Sequence, residues 1–364
     1  MTKYKISEIG EVVGGGTPST KYKEYYSTNK DISWITPKDL SGYTKMYISN
    51  GERYITSKGL NNSSAKMLPK DTILISSRAP IGYVAIAQKE LATNQGFKSI
   101  IPDKTKILPE FLYFTMITKK SELENIATGS TFKEVSGKVM KNFEIDVPTI
   151  EKQKQIIDKL IPIVRKIELN NEINTNLSMQ VHVLFQKLIS SSKLKKINIS
   201  ELYDIKYGKT LPKSKLSTSG IKVYGANGLI GYTEQESVIN KPTVTITSRG
   251  SGSGFVSYID EKNIFLTNNL LYLIDKKNVG LSFTYELLKS CKPQQFVTGS
   301  AQPQLTIKNL SQLNINIPDD KKIMDKFIKD TISFEKIIQK NKEENVNLFN
   351  LKEILLNKYF NLLN

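Results

Sequence analysis

The chain is poor in the residues on which many protein chemistries depend. Among its 364 residues there is one cysteine, Cys291, and one histidine, His182. A lone cysteine rules out a disulfide framework and a thiolate zinc site within the chain. A Ser-His-Asp or Cys-His catalytic site would have to use His182, which falls in a helical pattern with no matching cysteine or acid motif, so it reads as a solvated or half-buried helix residue. No run approaches the ~20 apolar residues of a transmembrane helix. The opening MTKYKISEIGEVV lacks the apolar core and cleavage site of a secretory signal. The expected location is therefore the cytoplasm.

Negative charge is also scarce. Lys and Arg number 52 against 35 Asp and Glu, a formal net charge of +17, and the lysines recur along the whole chain. Such a surface attracts polyanions and releases counterions on binding DNA. A lysine bias that serves solubility explains the count equally well.

What the sequence does contain is a duplication. Ile6-Ser7-Glu8-Ile9 returns as Ile199-Ser200-Glu201-Leu202, and Ile75-Ser76-Ser77-Arg78 as Ile246-Thr247-Ser248-Arg249. Thr93-Asn94 is matched with Thr267-Asn268, Thr128-Gly129-Ser130 with Thr298-Gly299-Ser300, and Val147-Pro148 with Ile317-Pro318. The offset is 193 residues at the start and 170 to 174 from Arg78 onward, so the first segments differ in length. Each copy begins strand-rich, with β-branched runs such as residues 72–76 and 243–247 bounded by Gly and Pro. Each then enters a long helix after Pro148 or Pro318, where a missing N–H costs little.

The helices carry a heptad seam. Ile156, Leu160, Ile163, Ile167, Asn170, Asn174, Leu177, Val181, Leu184 and Leu188 step by four and three. The second copy gives Phe327, Thr331, Phe334, Ile338, Asn341, Asn345, Leu348, Lys352, Leu355 and Tyr359. Polar residues in a seam fix register at the expense of stability. Antiparallel packing brings Asn170 and Asn174 to Asn341 and Asn345. Helices of ~40 residues would span ~60 Å, long for packing on one's own domain alone, and Pro162 predicts a kink near the start of the first. The expected fold class is α+β, with two similar strand-rich domains (residues 1–148 and 193–318) separated by two long helices (149–192 and 319–364) in an antiparallel coiled coil with an internal pseudo-twofold repeat.

Enzyme motifs fail one by one. Gly208-Lys209-Thr210 resembles the end of a phosphate-binding loop, but Tyr203 stands where the leading glycine belongs. Residues 250–254 are glycine-rich after a strand, yet no helical pattern or ribose-gripping acid follows. The Asn-Pro-Pro-aromatic segment of an amino-methyltransferase is missing. Pro318-Asp319-Asp320-Lys321-Lys322 suggests part of a nuclease motif, but its repeat partner Pro148-Thr149-Ile150-Glu151-Lys152 lacks the acid pair, and acids at a helix start account for both.

The remaining polar clusters suit DNA: Ser, Thr and Lys for phosphates, Arg, Asn and Gln for base edges. Candidate contacts in the first copy are Lys21, Trp34, Lys38, Arg78, Asn94, Gln95, Ser130 and Lys133. In the second they are Lys209, Lys213, Lys215, Tyr224, Asn227, Arg249, Ser251, Asn268, Asn269, Gln302 and Gln304. Arg78 and Arg249 stand at equivalent loop entries and suit guanine or phosphate, or else an internal ion pair. Asn94, Gln95, Asn268, Asn269, Gln302 and Gln304 read adenine or brace turns; Trp34 and Tyr224 suit contacts to bases or sugar, though a tryptophan is more often a core residue.

The arrangement resembles the specificity subunit of type I restriction-modification systems. The resemblance rests on ISEIGEVVGGGTP, LPKDTILISSRAPIGYVAI, the TGS turn and VPTIEKQKQIIDKL. The second copy supplies ISELYDIKYGKTLP, TVTITSRGSGSGF, VTGSAQPQLTIKNLSQLNINIP and a second helix. It covers essentially the whole chain. It implies two target recognition domains, each reading half of a bipartite, asymmetric DNA site, with the helices setting the unread gap. It also implies a non-catalytic chain with no cofactor of its own, two methyltransferase subunits carrying S-adenosylmethionine, and restriction subunits in the full complex. The other readings are a stand-alone two-domain DNA-binding regulator, a nuclease using Asp319 and Asp320, and an RNA-binding adaptor.

Overall fold

The computed structural model describes residues 2–129 and 133–360. It divides into two compact units, 1–170 with 344–364, and 171–343. The boundary cuts both long helices (Ile150–Ser191 and Lys321–Phe360) near their midpoints. Each unit takes half of both helices into its own packing.

In the first unit Thr2–Lys5 pairs antiparallel with Glu144–Val147 as a separate two-stranded sheet. Burial alternates along 144–147, turning Ile145 and Val147 inward, as the period of two requires. The main sheet runs Gly10–Gly14, Lys98–Pro102, Ile73–Ile75, Val84–Ala87, Tyr47–Ile48, the last strand lying parallel to its neighbour. A smaller sheet holds Tyr26–Ser27, Tyr54–Ile55, Ile32–Ile35 and Ala92–Thr93. The helix Pro109–Thr118 covers the main sheet. Ile156 and Leu160 of the first long helix and Leu356 and Phe360 of the second complete that core, with the Phe111 and Phe360 rings 5.2 Å apart.

The second unit repeats the plan. Leu194–Asn198 pairs with Asn314–Pro318. The main sheet is Tyr203–Tyr207, Leu270–Asp275, Thr243–Thr247, Val256–Ile259, with no fifth strand among the described residues. The smaller sheet is Gly228–Thr233, Ile221–Gly225, Phe265–Leu266. Phe185, Phe283 and Phe327 form an edge-to-face cluster in its core, with Leu281–Cys291 as the covering helix.

One expectation about proline changes. Pro318 ends a strand, paired with Leu194, and does not open the helix. The second long helix is instead started by Asp320, whose carboxylate accepts from the Lys322 N–H at 2.8 Å, and the first by Thr149 (3.4 Å to Lys152 N). These side chains satisfy donors that a helix start leaves open. Pro162 lies inside a helix that runs without interruption from Ile150 to Ser191.

Within each unit the two helix halves run antiparallel and meet at an asparagine pair. In the first, Asn170 Nδ2 donates to Asn345 Oδ1 at 2.9 Å and to Glu344 at 2.9 Å. In the second, Asn341 Nδ2 donates to Asn174 Oδ1 at 2.9 Å. The polar seam positions find each other as the heptad pattern requires.

Candidate nucleic-acid interface

The repeated motifs converge on the strand ends of each unit. In the first, the Gly16 N–H donates to Thr93 O, Asn94 N–H to Ile35 O, Ser77 N–H to Gly96 O, and Val135 N–H to Ser77 O. This ladder sets Arg78 opposite Glu134. Gln95 accepts the Thr17 hydroxyl. Asn94 Oδ1 accepts the Gly96 N–H at 2.9 Å, so this side chain braces its turn. Arg78 Nε and Lys98 Nζ each lie 3.0 Å from Glu134. Burial raises the Glu134 carboxyl, but its bonds to Lys98 and Arg78 outweigh this and hold it below the usual carboxylate range.

The second unit builds the same frame. Lys209 N–H donates to Leu266 O, Thr267 N–H to Tyr224 O, Ser248 N–H to Asn269 O, and Leu305 N–H to Ser248 O. Asn268 Nδ2 donates to Thr210 Oγ1 at 3.1 Å, the counterpart of the Thr17–Gln95 contact. Arg249 faces Gln304 across a bridge, as Arg78 faces Glu134. The carboxylate of the first copy is thus an amide in the second, and Arg249 is exposed there. Ser251 and Gln302 are exposed nearby, in the loops that Gly250 N–H joins to Pro303 O.

These hydrogen bonds correct the sequence register by one residue. Asn94 corresponds to Thr267, Gln95 to Asn268, and Gly96 to Asn269. The same frame explains a glycine kept in both copies. A Cβ on Gly15 would lie 1.9 Å from Asn94 O, and one on Gly208 2.3 Å from Thr267 O.

Other candidates lie elsewhere. Trp34 is 3% exposed and its Nε1 donates to Gly16 O at 2.9 Å. It is a core residue, because strand Ile32–Ile35 is covered on both faces, and it is withdrawn as a DNA contact. Tyr224 is half-buried, and burial together with its hydrogen bond to Glu261 pushes its hydroxyl pKa up. Lys38 is paired with Glu52 at 2.9 Å, both largely exposed, a contact of little stabilising weight. Lys21, Lys133, Lys213, Lys215 and Asn227 are exposed. Lys213 and Lys215 sit on a short turn, and Asn227 at a hairpin tip. Ser130 lies outside the described residues. Sequence reasoning did not single out Thr17, Thr210 or Glu134. Matching the TGSTFKE and TGSAQPQ segments position by position would have found Glu134 opposite Gln304.

His182 Nδ1 lies 2.7 Å from Glu286, with its ring 49% exposed. Among the described residues no group of three His, Cys, Asp or Glu is placed to hold a metal, and no helix is long and apolar enough to cross a membrane.

The family model for the type I restriction modification DNA specificity domain matches residues 1–179 and again 191–347, one match per copy of the frame. The chain belongs to this family. Among curated relatives of this specificity-domain chain, the type I restriction enzyme MjaIX specificity subunit of Methanocaldococcus jannaschii is 53% identical over 154 residues. That match covers 42% of this chain and 35% of the relative. The EcoR124I/EcoR124II specificity subunit of Escherichia coli is 32% identical over 161 residues, covering 43% and 39%. The chain thus spans less than two fifths of the length of these two relatives. The Escherichia coli EcoprrI specificity subunit aligns more fully, 24% identical over 353 residues, 88% of this chain and 86% of the relative. The fold is that of the crystal structure of a type I restriction-modification system S subunit from M. genitalium. That structure has a TM-score of 0.67 at 18% identity, over 99% of this chain and 96% of the other.

Proposed function

We propose that this chain is the DNA sequence-specificity subunit of a type I restriction-modification complex. Each strand-end cluster reads one half of a bipartite, asymmetric duplex site. The observation that carries this is one backbone frame, built twice, holding different side chains at the same places: Gln95 against Asn268, and Glu134 against Gln304. A shared frame positions the protein on the duplex, while the differing side chains let the halves read different bases. The net charge of +17 supplies attraction to the backbone.

The chain itself performs no chemistry in this reading. Two methyltransferase subunits bring S-adenosylmethionine and the catalytic residues, and restriction subunits join them, all in the cytoplasm. The helix halves, fixed in register by the asparagine pairs, serve as the ruler for the unread gap.

The test is co-expression with a type I methyltransferase subunit and single-molecule mapping of methylated sites. Arg249→Ala and Asn268→Ala should each relax one half-site, by about 1–3 kcal/mol per lost base contact, and leave the other half and the gap unchanged. Equal loss at both halves, or no methylation with the unmodified chain, would refute the reading.

A further inference from the structure

The two units differ at one edge of the main sheet. In the first, the fifth strand Tyr47–Ile48 lies parallel to Val84–Ala87. Ile86 N–H donates to Met46 O and Gln88 N–H to Ile48 O, both at 2.9 Å. Met46, 2% exposed, packs in a core with Ile86, Tyr113, Ile161 and Val164. Its N–H donates to Glu168 on the long helix at 2.7 Å, and the Tyr47 hydroxyl to Glu110 at 2.6 Å. A segment of the chain thus fills the channel between sheet edge, covering helix and long helix.

The second unit has the channel without the segment. Val256–Ile259 corresponds to Val84–Ala87 and is the last strand of its sheet. Beside it runs a groove of about 980 Å³. Its walls include Tyr258, Tyr285, Ile332 and Gln339, the counterparts of Ile86, Tyr113, Ile161 and Glu168. Ile332 is 45% exposed where Ile161 is packed. The edge also offers backbone donors. Thr247 N–H bonds to Phe255 O. Alternation along an antiparallel pair then turns Ser257 and Ile259 toward that neighbour, and Tyr258 and Asp260 toward the groove. Those two amides are the counterparts of Ile86 and Gln88, which hold the strand in the first unit. An uncovered edge strand beside an apolar channel is a template for strand addition.

We propose that this groove docks an extended segment of a partner protein other than a second copy of this chain. The segment adds as a fifth strand parallel to Val256–Ile259 and seats an apolar side chain against Tyr258, Tyr285 and Ile332. The first unit shows the occupied form and so gives the occupant its chemistry. Two carbonyls two residues apart accept from the edge amides, and an unbranched apolar side chain at the first of them enters the channel.

The proposal does not depend on the DNA reading and is tested without DNA. The probe is a synthetic peptide with the sequence of residues 41–50, SGYTKMYISN, added to the full chain. Hydrogen exchange should slow at residues 256–260, saturably. Ile332→Glu, an exposed position, should weaken binding about tenfold or more. Ile354→Glu, exposed at 63% in the other unit, should leave it unchanged, and replacing the peptide's methionine by serine should weaken it. Thermal melting of both variants checks that they fold. Absence of protection at 256–260 in millimolar peptide, or protection indifferent to Ile332→Glu, overturns the proposal. A dimer of the chain that Ile332→Glu dissolves, with no response to the peptide, overturns it in favour of self-association.

Discussion

Replacing Asn170 and Asn345 by leucine, singly and together, tests whether the helix seam is held by paired amides. Asn170 is fully buried and Asn345 6% exposed. Asn170 Nδ2 makes two bonds of 2.9 Å, to Asn345 and to Glu344. Its Oδ1 is buried without a partner among the described residues. Asn170→Leu removes both bonds and strips the Asn345 oxygen of this donor inside the seam. Losing hydrogen bonds at buried polar groups costs about 1–3 kcal/mol, and the leucine recovers part of that by apolar burial. The single variant should therefore lose about 1–2 kcal/mol, and Asn345→Leu a similar amount. The double variant removes both amides, including the unpartnered Asn170 oxygen. It should lie within about 1 kcal/mol of the parent, or above it, giving a coupling of about 1–3 kcal/mol. Urea unfolding read at constant m-value measures this. A double variant destabilised by the full sum of the singles would refute the pairing argument.

Glu134→Gln should release Arg78 and Lys98. Duplex binding should then tighten at low salt, and the slope of log affinity against log salt should steepen by about 0.9 for each new phosphate contact; an unchanged slope would show that Arg78 stays engaged. Because the bonds to Lys98 and Arg78 hold the Glu134 carboxyl below its usual range, the pair's contribution is present at neutral pH and is lost as pH falls through the lowered folded value. Acid titration of the Arg78 Nε resonance follows the loss. Gly208→Ala should destabilise by about 2 kcal/mol or more, because its Cβ would meet Thr267 O at 2.3 Å; a thermal midpoint equal to the parent's would contradict this. Deleting one heptad from both long helices should change the gap of the methylated site and keep both half-site sequences, read by methylation mapping.

The seam and the duplication were legible because they rest on local rules. Heptad spacing places Asn170, Asn174, Asn341 and Asn345 on one stripe of each helix whatever surrounds them. Matched motifs such as TSRG and SSRA mark equivalent loops without reference to the fold. Trp34 was offered both as core and as a contact, and only the covering of its strand on both faces decided for core. The one-residue slip at Asn94 arose because Thr-Asn matches Thr-Asn as letters, while strand pairing aligns Asn94 with Thr267. Pro318 resembled a helix opener because proline suits both a helix start and the end of a strand, and only its pairing with Leu194 separates them.

By itself, then, the sequence determined the two copies, their strand-rich and helical parts, the polar register of the helices and the basic surface. All of these follow from periodicity and composition within short stretches. Tertiary structure alone decided which halves of the helices belong to which unit, that Arg78 is neutralised by Glu134 while Arg249 faces Gln304, and that one sheet edge is filled and the other open. Those facts depend on residues far apart in the chain being brought within a few ångströms, and no local pattern records such contacts.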